Sequence, residues 1–131
     1  MRTFLLLSSL LFSSFSIACT CATPSLAESF AKADFVYIGQ IESAELTGET
    51  EVTNFLSIEE EFKGHRDIHI LISEVSNSSC ASPAAVGYTY VIFGNFGEFP
   101  KLQSCSQTQI LNSYKEKLIG ELRKLAANDP L

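Results

Sequence analysis

Four cysteines constrain this chain more than any other feature: Cys19 and Cys21, separated only by Thr20, and then Cys80 and Cys105 far along the sequence. They follow an amino-terminal stretch with the pattern of an export signal. Met1 and Arg2 make a basic start, residues 4–12 form an apolar run broken only by Ser8 and Ser9, and Ser16 and Ala18 are the small residues of a cleavage site. The run falls well short of the roughly 20 apolar residues that cross a bilayer. Cleavage after Ala18 makes residues 1–18 a signal peptide and residues 19–131 one mature domain, secreted into an extracellular or periplasmic space. An even cysteine count in an exported chain argues for two disulfides. Structural zinc is the other use of four cysteines, but this spacing lacks the paired knuckles such sites need. Cys19 and Cys21 make poor partners for each other on disulfide geometry, which leaves two long-range pairings open. Closing a loop of about sixty residues constrains the unfolded chain by about 4 kcal/mol, a large contribution for a chain with one modest core.

Cleavage there also leaves Cys19 as the first residue, with an α-amine beside its thiol. A competing use of the same residue is lipidation, since Phe15-Ser16-Ile17-Ala18-Cys19 loosely resembles a bacterial lipoprotein box. That box wants Leu or a similar apolar residue where Ser16 stands, and acylation would block the amine.

Along the mature chain the pattern is mostly β. Thr23-Pro24 imposes an extended backbone, and Ser25-Leu26-Ala27-Glu28 reads as a capping box that opens a short helix through about Ala33. Residues 34–46 are rich in β-branched and aromatic types, with Gly39 marking a bulge or bend. Residues 51–62 alternate as a half-buried strand, with Glu59-Glu60-Glu61 read as a solvated edge, and residues 67–75 form a third strand. His65 and His69 have the spacing of helical metal ligands but stand in a strand-turn context, so they read as surface or packing residues. Residues 76–86 form a polar loop containing Cys80 and a glycosylation sequon at Asn77-Ser78-Ser79, relevant in a eukaryotic host. Residues 87–94 are the most strongly β segment, and residues 101–105 are read as a short fifth strand. Thr108 is read as the cap of a final helix over residues 109–127, with Leu111, Tyr114, Leu118, Leu122 and Leu125 on one stripe. Two flanking helices and five strands with glycine bends point to a small, disulfide-stapled β-barrel of the OB type.

Composition excludes other classes. Nine Lys and Arg stand against fifteen Asp and Glu, so the basic face that nucleic acid requires is missing. No second apolar segment offers a transmembrane span in the mature chain. Nothing in the sequence suggests a catalytic triad, a ligand cluster or a phosphate loop, so the chain reads as neither an enzyme nor a cofactor binder.

In order along the chain, Cys19-Thr20-Cys21 after the signal, Pro24, Ala33 to Val36 opening the first strand, Phe62-Lys63-Gly64, Ser78-Ser79-Cys80, Tyr90 to Gly94 and Ser104-Cys105-Ser106 form a recognisable set. This set resembles the amino-terminal, netrin-like domain of the tissue inhibitors of metalloproteinases, over nearly the whole mature length. The resemblance implies an OB-type barrel with Cys19 bridged to Cys80 and Cys21 to Cys105. It also implies a mechanism in which the Cys19 amine and carbonyl chelate the zinc of a target protease. Thr20 would then enter the protease's first specificity pocket, and Cys21, Ala22, Ser78, Ser79 and Cys80 would complete the ridge that fills the cleft. The family carries a further cysteine where this chain has Ala31, and a second cysteine-rich domain that is absent here. The losses are mutually consistent and fit a single-domain relative, a bacterial one included. The alternative is a netrin-like module that grips another extracellular or envelope protein without inhibiting it, anchored by lipid if Cys19 is acylated.

Overall fold

Residues 35–38 are apolar at every position, and a strand of that kind needs cover on both faces. The computed structural model, which describes residues 19–78 and 80–130, supplies that cover. Strand β1 (Phe35–Leu46) pairs with β2 (Glu51–Lys63) on one side and with β4 (Thr89–Gly94) on the other. Strand β3 (Ile70–Glu74) adds outside β2, and the short β5 (Gln109–Ile110) outside β4. The result is one five-stranded antiparallel sheet in the order β3-β2-β1-β4-β5, flanked in sequence by α1 (Leu26–Lys32) and α2 (Lys115–Asn128). The proposed export signal, residues 1–18, lies outside the described residues.

Alternate residues of β1 feed two clusters, as the period of two requires. Val36 and Ile38 pack with Phe30 of α1 and with Ile119 and Leu122 of α2. Phe35, Tyr37 and Ile41 pack on the opposite face with Leu56, Leu71, Tyr90 and Ile92, and partly buried Ala84 and Leu102 join them. Among the described residues, no helix contributes to that second cluster, which is made of strand and loop residues. Arg66 lies at one end of it, its guanidinium 5.2 Å from the Phe35 ring and 4.6 Å from the Phe99 ring, and donates to the Glu98 carbonyl at 2.6 Å. Burial pushes the Tyr37 phenol far above its ordinary range, with Arg66 opposing weakly.

Local chemistry explains several boundaries. Ser25 Oγ accepts from the Glu28 N–H at 3.2 Å, and Glu28 Oε2 accepts from the Ser25 N–H at 3.1 Å, so the capping box closes both ways and starts α1. The β1–β2 register shifts between Ile38 and Gly39, where a Cβ would stand 2.9 Å from the Ser57 carbonyl oxygen. Glycine lets the two strands approach there, and the shift bends them.

Two expectations need correction. The fifth strand is Gln109–Ile110 and not residues 101–105, where only Lys101 forms an isolated parallel bridge, to Ile72. The final helix begins at Lys115, not at residue 109, and Thr108 does not cap it. Thr108 Oγ1 instead accepts from the Phe93 N–H at 3.0 Å and donates to the Phe93 carbonyl at 3.3 Å. The hydroxyl that looks like a helix cap therefore satisfies the backbone of β4, and residues 109–110 are drawn into the sheet. The stripe is also shorter than expected, since Tyr114 is exposed while Ile119 and Leu122 are buried.

The acidic run of β2 is exposed or half-buried, yet it is not merely solvated. Arg123 of α2 donates twice to Glu60, at 2.9 and 3.0 Å, and Lys115 donates to Glu59 at 3.3 Å. Glu59 and Glu60 thus pair with two cations of α2 and link the helix to β2 beside its apolar contact.

Candidate functional site

Pro24 sets an extended approach to α1, and its carbonyl accepts from Gln107 Nε2 at 2.8 Å. That contact holds the leading segment against the loop before β5. Of the two long-range pairings open from sequence, the structure forms Cys19–Cys80 and Cys21–Cys105, with Cα separations of 5.7 and 5.6 Å. The first brings residues 19–22 beside the loop at Cys80, and the second brings them beside residues 104–106.

Of the residues expected to form a ridge, Thr20, Cys21, Ala22, Ser78 and Cys80 are exposed and Cys19 is half-buried, while Ser79 lies outside the described residues. Short polar contacts stiffen this shoulder. Cys80 N–H donates to Ser78 Oγ at 3.2 Å, Ser104 Oγ donates to the Cys80 carbonyl at 3.3 Å, and the Ser82 and Ser104 hydroxyls meet at 3.1 Å. No large apolar side chain belongs to the shoulder, so covalent links and these bonds hold it.

Next to the shoulder is a groove of about 680 Å³ that Cys19, Thr20 and Cys80 line together with Glu51, Glu74 and Lys101. Ser73 is at its floor, nearly fully buried, and Asn54 Nδ2 donates to Ser73 Oγ at 2.9 Å and to the Leu71 carbonyl at 2.8 Å. Glu51 and Glu74 are directly opposed across β2 and β3. The sequence reading missed this groove. Its only sequence signal is the polar Asn54 and Ser73 in otherwise apolar strand positions, because the opposition of the two glutamates depends on strand register.

The two histidines do not converge: His65 bonds to Glu61 and Asp67, whereas His69 packs edge-on against Tyr37 with ring centroids 5.3 Å apart. Among the described residues, no three His, Cys, Asp or Glu side chains come together as metal ligands, and no helix is long and apolar enough to cross a membrane. No protein-family model and no curated protein matches this chain.

Proposed function

We propose that this chain is a secreted, netrin-like protein of the kind that inhibits zinc metalloproteinases, acting through Cys19 and the exposed segments cross-linked beside it. The observation that carries the reading is the Cys19–Cys80 bridge, which joins the exposed residues 20–22 to the exposed Ser78 and Cys80 in one rigid surface. A catalytic zinc keeps an open position occupied by water. An α-amine titrates near pH 8 and offers a lone pair, so amine and carbonyl of Cys19 could chelate that zinc and displace the water. Cross-linking reduces the ordering that binding would otherwise cost. Thr20 would enter the adjoining specificity pocket. The OB-type barrel belongs to the same proposal, and two features support it: the parallel contact of Ile72 with Lys101, and an apolar interior enclosed by strands and loops.

The second reading, a netrin-like module that binds an extracellular or envelope protein without inhibition, is favoured by the half-buried position of Cys19 at the wall of a groove. One experiment separates the two. Protein whose chain starts at Cys19 is compared with a form carrying one added alanine, against a panel of zinc metalloproteinase catalytic domains. The proposal expects inhibition by the first, loss of it in the second, and the same melting temperature for both. Equal inhibition by the two forms, or none by the native one, removes the chelation reading; intact mass shows whether cleavage follows Ala18 and whether Cys19 is acylated.

A further inference from the structure

The groove contains an unfinished β-ladder. Val75 N–H donates to the Thr50 carbonyl at 2.8 Å and Leu56 N–H to the His69 carbonyl at 3.1 Å, so odd-numbered residues of β3 bond to β2. The N–H and C=O groups of Ile72 and Glu74 therefore point the other way, off the edge of the sheet. Ile72 is satisfied there: its N–H donates to the Pro100 carbonyl at 2.9 Å and its carbonyl accepts from Leu102 N–H at 2.8 Å. One step further the ladder stops, and among the described residues no bond joins Glu74 to residues 102–104. Beyond that point the chain is held elsewhere: Cys105 is tied to Cys21 and Thr108 to Phe93, and residues 101–105 line the groove on the side opposite Ile72 and Glu74.

The same opening carries an electrostatic imbalance. Glu51 and Glu74 oppose each other at a non-hydrogen-bonded position, where cross-strand side chains come closest and like charges repel. Lys101 lines the groove too, but among the described residues no ion pair joins it to either glutamate. Two glutamates and one lysine thus line the groove, beside an edge that still offers a donor and an acceptor.

We infer that this groove binds an extended peptide segment bearing basic side chains, which continues the β3 edge at Glu74 while its cations meet Glu51 and Glu74. Backbone bonds to the edge give such a segment its hold, and alternate side chains give selectivity. The groove's volume falls within the usual range for ligand clefts, about 300 to 1,000 Å³. The site does not depend on the Cys19 amine and stands apart from the chelation proposal.

The test uses the disulfide-bonded mature protein and a capped Lys-Val-Lys-Val-Lys peptide, with Glu-Val-Glu-Val-Glu as control, followed by backbone amide NMR at low salt. The expected result is shifts confined to Ile72, Glu74 and residues 101–105, and none with the acidic peptide. Replacing both carboxylates, Glu51→Gln with Glu74→Gln, should weaken binding about tenfold, by the electrostatic part of the contact. Glu74→Pro removes the outward N–H without touching the bonds to β2, and should abolish binding at unchanged melting temperature. The alanine-extended form should bind as the native one does, so failure of inhibition leaves this site standing. No binding, equal binding of both peptides, shifts elsewhere, undiminished binding by the Glu74→Pro form, or a dimer through the same residues without peptide would each overturn the inference.

Discussion

The packed sheet and the cysteine shoulder are held by different physics. Around β1, Val36, Leu71 and Leu122 are fully buried, and the strands and α2 lock together by excluding water. The shoulder of residues 19–22, Ser78 and Cys80 buries almost nothing apolar. Two disulfides and a few serine hydroxyls stand in for a core there, so the surface stays polar, accessible and rigid at once. A surface made this way keeps its side chains exposed instead of using them to build the fold. It follows that the two regions should respond differently to the same disturbances.

The largest effect is expected from the covalent links. Removing the Cys19–Cys80 bridge by paired Ser substitutions, which opens a loop with sequence separation 61, should destabilise the protein by about 4 kcal/mol in urea unfolding. At low urea the remaining folded protein should keep core amide shifts and lose only those of the shoulder; loss of both together would mean that the two regions are not separable. Next comes the packed side. Leu122→Ala should cost about 3 kcal/mol by leaving a cavity between α2 and the sheet. It should leave the shoulder resonances in place, and their collapse would again break the contrast.

A smaller effect of opposite sign is expected at Tyr37. Its hydroxyl is buried and has no hydrogen-bond partner among the described residues. Tyr37→Phe should therefore raise stability by about 1 kcal/mol, since an unmet polar group is removed from the interior. A loss of stability would show that the hydroxyl does have a partner. Smallest is the pH response of His65, whose Nδ1 lies 2.9 Å from Glu61 and Nε2 3.2 Å from Asp67. Bonding to Glu61, then to Asp67, raises its pKa above the ordinary 6.5. The protonated pair thus adds stability that is full below that ordinary value and fades as pH rises through the raised one. The melting temperature should fall slightly from pH 6 to pH 8, and His65→Asn should flatten the change; an unchanged slope in that variant would assign it to another group.

Much of the scaffold is visible residue by residue. Ser25 and Glu28 announce α1, the β-branched and aromatic run from Phe35 announces β1, and Gly39 marks its bend, because each of those signals acts through neighbours a few positions away. Thr108 shows where such reasoning misleads. A hydroxyl ahead of an apolar stripe is a good helix cap, yet here it serves Phe93, fifteen positions earlier, and Gln109–Ile110 joins the sheet. Glu59 and Glu60 show the same thing on the surface: their cations, Lys115 and Arg123, lie more than fifty positions later.

Composition, local backbone preference and redox chemistry are enough to specify a mostly β chain with four cysteines for two staples, a capped first helix and an acidic balance of charge. Which cysteines meet, where the last strand and helix divide, and that Glu51 opposes Glu74 beside an open edge emerge only when the chain is folded. The reason is that pairing and register are set by which distant surfaces exclude water together. No short window of residues carries that information.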